Sequence, residues 1–252
     1  GPGSGEQACG DIGAGRMLEP LELVDLIAAS FDSGPLTGKK VLITAGPTRE
    51  AVDPVRYLSN NSSGKMGYAL AQAAADAGAE VVLVSGPVSL ATPPRVRRVD
   101  IQSTADMLQA VEDEISSTDL FIACAAVADY RAEHVAEQKI KKTGDRLTLE
   151  LIRNPDILET VGHMNPRPFC VGFAAESENV LANARAKLIR KKIDLIIAND
   201  ISRSDIGFGQ DANEVHLLSP SEEIEIPKAD KKILARQLIA EICQRWPGGK
   251  TG

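Results

Sequence analysis

Short apolar runs recur along this chain with helix-patterned segments between them, and that alternation restricts the possible folds more than any other feature. Residues 41–45, 81–85, 120–127, 169–173 and 195–198 are nearly continuous in Val, Ile, Leu, Phe and Ala. Runs so short and so uniformly apolar read as strands buried on both faces. Between them, residues 65–77 form an Ala-rich helix stopped by Gly78, and 104–115 carry an apolar stripe at Met107, Leu108, Val111 and Ile115. Two further helices are expected at 156–163 and 179–191, and a weaker strand at 96–101. After a loop with Gly207 and Gly209, a β-pair is expected around 215–218 and 223–226, then a closing helix over 229–246. Strand and helix alternating through short loops imply a mostly parallel sheet covered on both faces, with ligands at the carboxyl ends of the strands.

The alternation stops once. Residues 130–153 contain Lys139-Ile140-Lys141-Lys142, the turn Thr143-Gly144-Asp145 and a period-2 run over 146–151, which together predict a β-hairpin flap. The fold expected is therefore α/β, a Rossmann-like three-layer sandwich whose mostly parallel sheet carries an inserted β-hairpin flap. Residues 1–18 are expected to be an expression scar (Gly1 to Ser4) and a glycine-rich, flexible lead-in. Residues 19–38 are expected to be a short amphipathic helix over 21–31 and a linker, and 39–252 the main domain.

Charge and composition narrow the function. The chain has 28 Lys and Arg against 35 Asp and Glu, a formal charge of −7, with five Phe, three Tyr and one Trp. A nucleic-acid binder needs a basic surface and stacking platforms, so neither nucleic acid nor membrane is an expected partner. No apolar run approaches the roughly 20 residues of a bilayer span, and no signal peptide is visible, so a cytoplasmic protein is expected. The four cysteines (9, 124, 170, 243) form no C-x-x-C pair, and Cys124 and Cys170 lie in apolar runs as expected buried thiols. The three histidines fall in unrelated segments, which disfavours a His triad or metal site.

The loops after the strands carry the chemistry. Between the first strand and the helix at Lys65 lie 19 residues, 46–64, where a dinucleotide turn needs about six. A connection this long is usually functional. Its last residues, Asn60, Ser62, Ser63 and Gly64, stand at a helix N-terminus, where free N–H groups favour an anion or where Ser62 or Ser63 simply caps the helix. A P-loop is disfavoured, because Gly64-Lys65 is followed by Met66. In Ala125-Ala126-Val127-Ala128-Asp129, small side chains permit a nucleotide to approach the backbone; Asp129 serves a ribose, a magnesium shell or merely a cap. Lys139, Lys141 and Lys142 are either a solvated face or a lid over phosphates. Arg185, Lys187, Arg190, Lys191 and Lys192 form a second basic stretch, with Lys187 and Lys191 on one side of their helix.

Several of these motifs together are familiar. Residues 44–50 (TAGPTRE), 53–57 (DPVRY), 59–67 (SNNSSGKMG), 125–129 (AAVAD), 139–142 (KIKK), 154–156 (NPD) and 172–176 (GFAAE) resemble the bacterial phosphopantothenoylcysteine synthetase (phosphopantothenate-cysteine ligase) family of coenzyme A biosynthesis. The resemblance runs over about residues 38–246. In that family the synthetase is usually the carboxyl half of a bifunctional protein with a flavin-dependent decarboxylase. Residues 8–17 resemble the end of that decarboxylase, a substrate clamp; with the flavin domain missing, Cys9 is expected to be idle and no flavin to bind.

The resemblance implies ligation of 4′-phosphopantothenate and L-cysteine with CTP and Mg²⁺ through an acyl-cytidylate, releasing pyrophosphate and CMP. It assigns Asn60 and Lys139 as catalytic, Asn60 orienting the acyl-cytidylate and Lys139 acting as the lid cation. Arg56, Asn60, Ser62, Ser63, Gly64, Ala125 and Ala126 would bind substrate. Gly46, Ala125, Ala126, Asp129, Lys139, Asn154, Asp156, Ile157, Leu158, Phe173, Lys187 and Lys191 would bind the nucleotide, with Asp129 a candidate for magnesium through water. It also implies a homodimer whose flap lies near the partner's active site. Two other readings share the fold: a short-chain NAD(P)-dependent reductase and a non-catalytic nucleotide sensor. The first is disfavoured because the residues four positions after Tyr57, Tyr68 and Tyr130 are Asn61, Gln72 and His134, so no Tyr-x-x-x-Lys pair exists.

Overall fold

A computed structural model describes residues 3–6, 12–16, 18, 20, 23, 34–142, 144–200 and 212–249. Its elements in chain order are β1 (Gly3–Glu6), β2 (Ile12–Arg16), β3 (Lys40–Ala45), β4 (Arg49–Asp53), β5 (Arg56–Ser59), α1 (Lys65–Asp76), β6 (Glu80–Ser85), β7 (Val96–Asp100), α2 (Thr104–Ile115), β8 (Leu120–Ala123), β9 (Tyr130–Ala132), β10 (Leu151–Arg153), α3 (Ile157–Gly162), β11 (Phe169–Glu176), α4 (Val180–Arg190), β12 (Leu195–Asp200), β13 (Ala212–Leu218), β14 (Glu223–Asp230) and α5 (Lys231–Arg245).

The apolar runs form one eight-stranded sheet in the order β14-β13-β12-β11-β8-β3-β6-β7. All pairings from β12 to β7 are parallel; β13 and β14 run antiparallel. The six parallel strands therefore follow the doubly wound order 3-2-1-4-5-6, which reverses between β3 and β8. Period-2 alternation sends Val41 and Ile43 into one core with Leu70, Leu83, Ile122, Leu238 and Ile242. Leu42 goes to the other core, with Val82, Met107, Val111, Phe121, Val161 and Leu188. Helices α1 and α5 thus cover one face, and α2, α3 and α4 the other, giving the three-layer α/β sandwich the sequence predicts.

Local chemistry sets the helix ends. Ser103 and Asp106 form a reciprocal capping box on α2. Helix α1 closes in a Schellman motif, the Gly78 and Ala79 N–H groups donating to Ala75 and Ala74 at 3.1 Å each.

Several expectations need correction. The strand expected over 120–127 stops at Ala123, because the following backbone is drawn to the loop after β3: Ala126 N–H donates to Gly46 at 2.9 Å. The long connection 46–64 contains an antiparallel hairpin, β4–β5, with Glu50 opposite Leu58 and Ala51 opposite Tyr57. In the flap, among the described residues, only the base is paired, β9 with β10; the period-2 run over 146–151 contributes Leu151 alone to a strand. The expected lead-in contains a hairpin, β1–β2. The closing helix begins at Lys231 rather than at residue 229, since Ala229 and Asp230 pair with Asn213 and Ala212. Of the helix expected at 21–31, only Leu23 is described, as helical. Cys9, Gly207 and Gly209 lie outside the described residues.

Helix α1 packs directly on β3 because residue 67 lacks a side chain. A Cβ there would sit 2.5 Å from the Ala45 Cβ, so Gly67→Ala should destabilise by about 1–3 kcal/mol through overpacking. Thermal unfolding should register this as a fall of about 2–4 °C per kcal/mol.

Candidate active site

The carboxyl ends of β3 and β8, where the strand order reverses, are held together by a network of short bonds. Ala125 N–H donates to the Thr44 hydroxyl at 3.3 Å. Pro47 and Ala126 form a parallel bridge. Thr48 is fully buried, and its hydroxyl accepts from Ala128 N–H at 2.9 Å. The Thr104 hydroxyl gives its one hydrogen to the buried Glu50 carboxylate at 2.7 Å, so in the 3.2 Å contact between the two threonines Thr48 is the donor. Glu50 also accepts the first N–H of α2, from Thr104 at 2.9 Å, a favourable place for negative charge. Asn154 closes the network, its side-chain amide donating to the Ala128 carbonyl at 2.9 Å and the Thr104 hydroxyl at 3.2 Å, while Arg131 donates to its side-chain Oδ1 at 3.1 Å.

A dinucleotide-type glycine turn is present here in divided form. Gly46 follows β3 with φ of 75°, Gly64 precedes α1 with the same φ, and Gly67 gives the close helix approach. The β4–β5 hairpin is inserted between the first glycine and the other two.

The tethered segment 125–127 is the shared wall of two clefts. The first, about 530 Å³, is lined by Asn60, Ser62, Ser63 and Gly64 at the N-terminus of α1, by Ala125, Ala126 and Phe173, and by Asn199, Asn213 and Lys231. The Asn60 side-chain amide donates to the Val127 carbonyl at 2.9 Å, which fixes it to that wall. The second, about 850 Å³, is the basic cleft: four cations, Arg153, Lys187, Arg190 and Lys191, line it together with Asp129, Asn154, Asp156, Ile157, Leu158 and Glu159. Lys191 pairs with Asp156 at 2.7 Å and Lys187 with Glu176 at 2.5 Å. Asp156 also caps α3 through Glu159 N–H. Burial pushes its carboxyl up, but Lys191 and that N–H outweigh burial and hold it below the ordinary carboxylate value.

Most residues singled out in the sequence thus meet at one end of the sheet, and several are placed differently from expectation. Ala126 and Phe173 line the first cleft but not the basic one. Gly46 lies behind the wall, its carbonyl accepting from Ala126. Arg56 lines neither cleft; it pairs with Asp53 at 3.3 Å and donates to the Ile140 carbonyl at 3.1 Å. Lys139 is exposed on the flap and also lines neither cleft of its own chain. Asn154 lines the basic cleft, but its amide is occupied by the network. The sequence reading missed Thr48, Glu50, Thr104, Asn199, Asn213 and Lys231. The signal available was an acidic residue and threonines inside an apolar context, which carries no partner information.

Burial raises the Cys124 and Cys170 thiols to about 12, so neither is reactive near neutrality. Among the described residues no group of three or more His, Cys, Asp or Glu could hold a metal by itself. No helix there is long and apolar enough to cross a membrane.

A doubly wound sheet with two clefts at its switch point is an α/β domain that places its candidate ligand sites at the carboxyl ends of its strands. Residues 36–245 match the DNA/pantothenate metabolism flavoprotein C-terminal domain, and the chain belongs to that family. It is 53% identical, over 245 residues and 96% of its length, to the coenzyme A biosynthesis bifunctional protein CoaBC of Vibrio vulnificus (strain YJ016); it spans 61% of that relative. The crystal structure of a CoaBC C-terminal domain superposes with a TM-score of 0.72 at 44% identity, covering 83% of this chain and 96% of that one. The DNA/pantothenate metabolism flavoprotein of Streptococcus pneumoniae gives a TM-score of 0.71 at 26% identity, covering 81% and 98%.

The network predicts a specific weakness. Thr104→Val keeps the shape but removes the hydroxyl that joins Glu50, Thr48 and Asn154, which should cost about 1–3 kcal/mol. Thermal unfolding should show the loss, hydrogen exchange should rise in 125–129, and Thr104→Ser should restore most of both.

Proposed function

We propose that this domain is a phosphopantothenate-cysteine ligase acting in coenzyme A biosynthesis. The observation that carries the reading is the shared wall 125–127: an amide-bearing cleft and a basic cleft open on its two sides, as joining a small acid to a nucleotide requires. The names of its relatives support the same pathway.

A carboxylate is a poor acyl donor to an amine and must first gain a phosphoryl leaving group. In the proposed first half-reaction, the carboxylate oxygen of 4′-phosphopantothenate attacks the α-phosphorus of CTP and the bond to pyrophosphate breaks. In the second, the cysteine amine attacks the acyl carbon, the bond to CMP breaks, and the amine loses a proton. The basic cleft is the proposed nucleotide site, Lys187 and Lys191 exchanging their carboxylate partners for phosphate oxygens. Ala125 and Ala126 let the reacting phosphorus lie against the wall. Asn60, fixed to Val127, orients the acyl-cytidylate and the tetrahedral species that follows it.

Asp129 stands exposed in the basic cleft, a single carboxylate beside the expected phosphates. That suits Mg²⁺, which is usually held by one or two carboxylates together with phosphate oxygens. When bound it would neutralise triphosphate charge, and Asp129 would be the side chain that holds it.

The flap supports a homodimer. Among the described residues, Val55, Tyr57, Tyr130, Val135, Leu147 and Leu151, all on β4–β5, the flap or its base, are large apolar side chains more than 40% exposed. A second copy covering this surface would bury it and take Lys139 toward the partner's cleft. The relatives' greater length and bifunctional naming support a fused decarboxylase domain in the full protein.

Three measurements test the reading. Incubation with phosphopantothenate, cysteine, Mg²⁺ and either CTP or ATP should release CMP in a cysteine-dependent way, and no such release would defeat the ligase. Asn60→Asp should slow turnover with CTP binding largely kept; lost CTP binding would make Asn60 structural. Light scattering should give a dimeric mass, and a fully active monomer would overturn the assembly.

A further inference from the structure

Asp53, at the end of β4, has no exposed side-chain surface. A carboxylate so enclosed requires donors on both oxygens. Its Oδ1 accepts the N–H groups of Val55 and Arg56, each at 2.9 Å, which closes the β4–β5 turn. Its Oδ2 is committed elsewhere: it accepts Ile140 N–H from the flap at 3.1 Å and faces Arg56 Nη1 at 3.3 Å. Arg56 Nη2 then donates to the carbonyl of the same Ile140 at 3.1 Å. Two side chains of one turn therefore hold both polar groups of residue 140, as a neighbouring strand would.

Nothing else does so nearby. Val52 accepts Ala136 N–H at 3.1 Å, and Glu150 accepts Glu133 N–H at 2.9 Å. Among the described residues, segment 137–149 has no hydrogen bond to the rest of the chain except those at Ile140. Burial would raise the Asp53 carboxyl, but the Val55 and Ile140 N–H groups and the Arg56 charge outweigh it and keep it below its ordinary value. The turn needs only one of the two oxygens.

We propose that Asp53 is a positioning residue for the flap lysines: by holding Ile140 it fixes Lys139 and Lys141, one residue to either side, where they meet the phosphates of the reaction. This rests on the ligase reading and on Lys139 as the cation of that chemistry. Asp53 touches no substrate in this role and acts through Lys139.

Three variants of the full chain test it: Asp53→Asn, Lys139→Ala and the double substitution. A displacement of about 1 Å at a reacting group can cost roughly 100-fold. Asp53→Asn should accordingly lower kcat by about 10-fold or more, with the CTP dissociation constant within about twofold of the parent. The double variant should be no slower than Lys139→Ala alone; multiplying losses would overturn the proposal. Hydrogen exchange supplies a readout besides activity: Asp53→Asn should lose protection at the Ile140 amide, which Asp53 holds, while β8 keeps its own, and unchanged protection at Ile140 would also overturn the proposal. If Asp53→Asn does not fold, Ile140→Pro removes the flap's donor without touching the turn; it should lower kcat in the same way and be no slower when combined with Lys139→Ala, and an unchanged kcat or multiplying losses would overturn the proposal. A parent protein with no cysteine-dependent CMP release would defeat the ligase reading, while the exchange result would still decide whether Asp53 anchors the flap.

Discussion

Where the strand order of the sheet reverses, the chain leaving β3 and the chain leaving β8 bond to each other, and the rest of the site depends on that junction. Parallel strands ordinarily diverge beyond their last paired residues and leave a crevice open to solvent. Here Gly46, Pro47 and Thr48 stay beside Ala125, Ala126 and Ala128, and a buried chain of hydroxyls runs from Ala128 through Thr48 and Thr104 to Glu50. The crevice is split by this junction into two clefts with one wall. Because each polar group in the chain has its donor or acceptor, the wall is a rigid element in a place where loops are usually adaptable.

Charge is organised around the same wall. The formal charge of −7 averages over regions that differ sharply. In the basic cleft, Lys187 and Lys191 have carboxylate partners in Glu176 and Asp156, so an incoming polyphosphate exchanges one set of anions for another. Arg56 is likewise paired, with Asp53. Lys139, Lys141 and Lys142 differ: all three are exposed, on a segment that among the described residues is bonded to the rest of the chain through Ile140.

The layered fold was legible because strands buried on both faces must be apolar throughout, and helices on such a sheet must show a 3.6-residue stripe. The apolar stripe at Met107, Leu108, Val111 and Ile115 made α2 readable to the residue. The failures share one cause. The β4–β5 hairpin lies in a stretch of mixed polarity, and β8 ends early because its last expected residues bond to a loop 80 residues away in sequence, as Ala128 does to Thr48. In the flap, period-2 alternation was visible, but among the described residues only its last member, Leu151, has a strand partner.

The sequence by itself determined the alternation of strand and helix, the end of the sheet at which a site must form and, through motifs that resemble a known family, most of the residues that gather there, since composition, periodicity and motifs are local properties. Tertiary structure alone decided that one glycine turn is divided by a hairpin, that one crevice becomes two clefts, and that Asp53 and Arg56 grip the flap. Each of those depends on hydrogen bonds between segments far apart in the chain. Their geometry is set by how β3, β8 and the inserted hairpins pack, and no residue carries it alone.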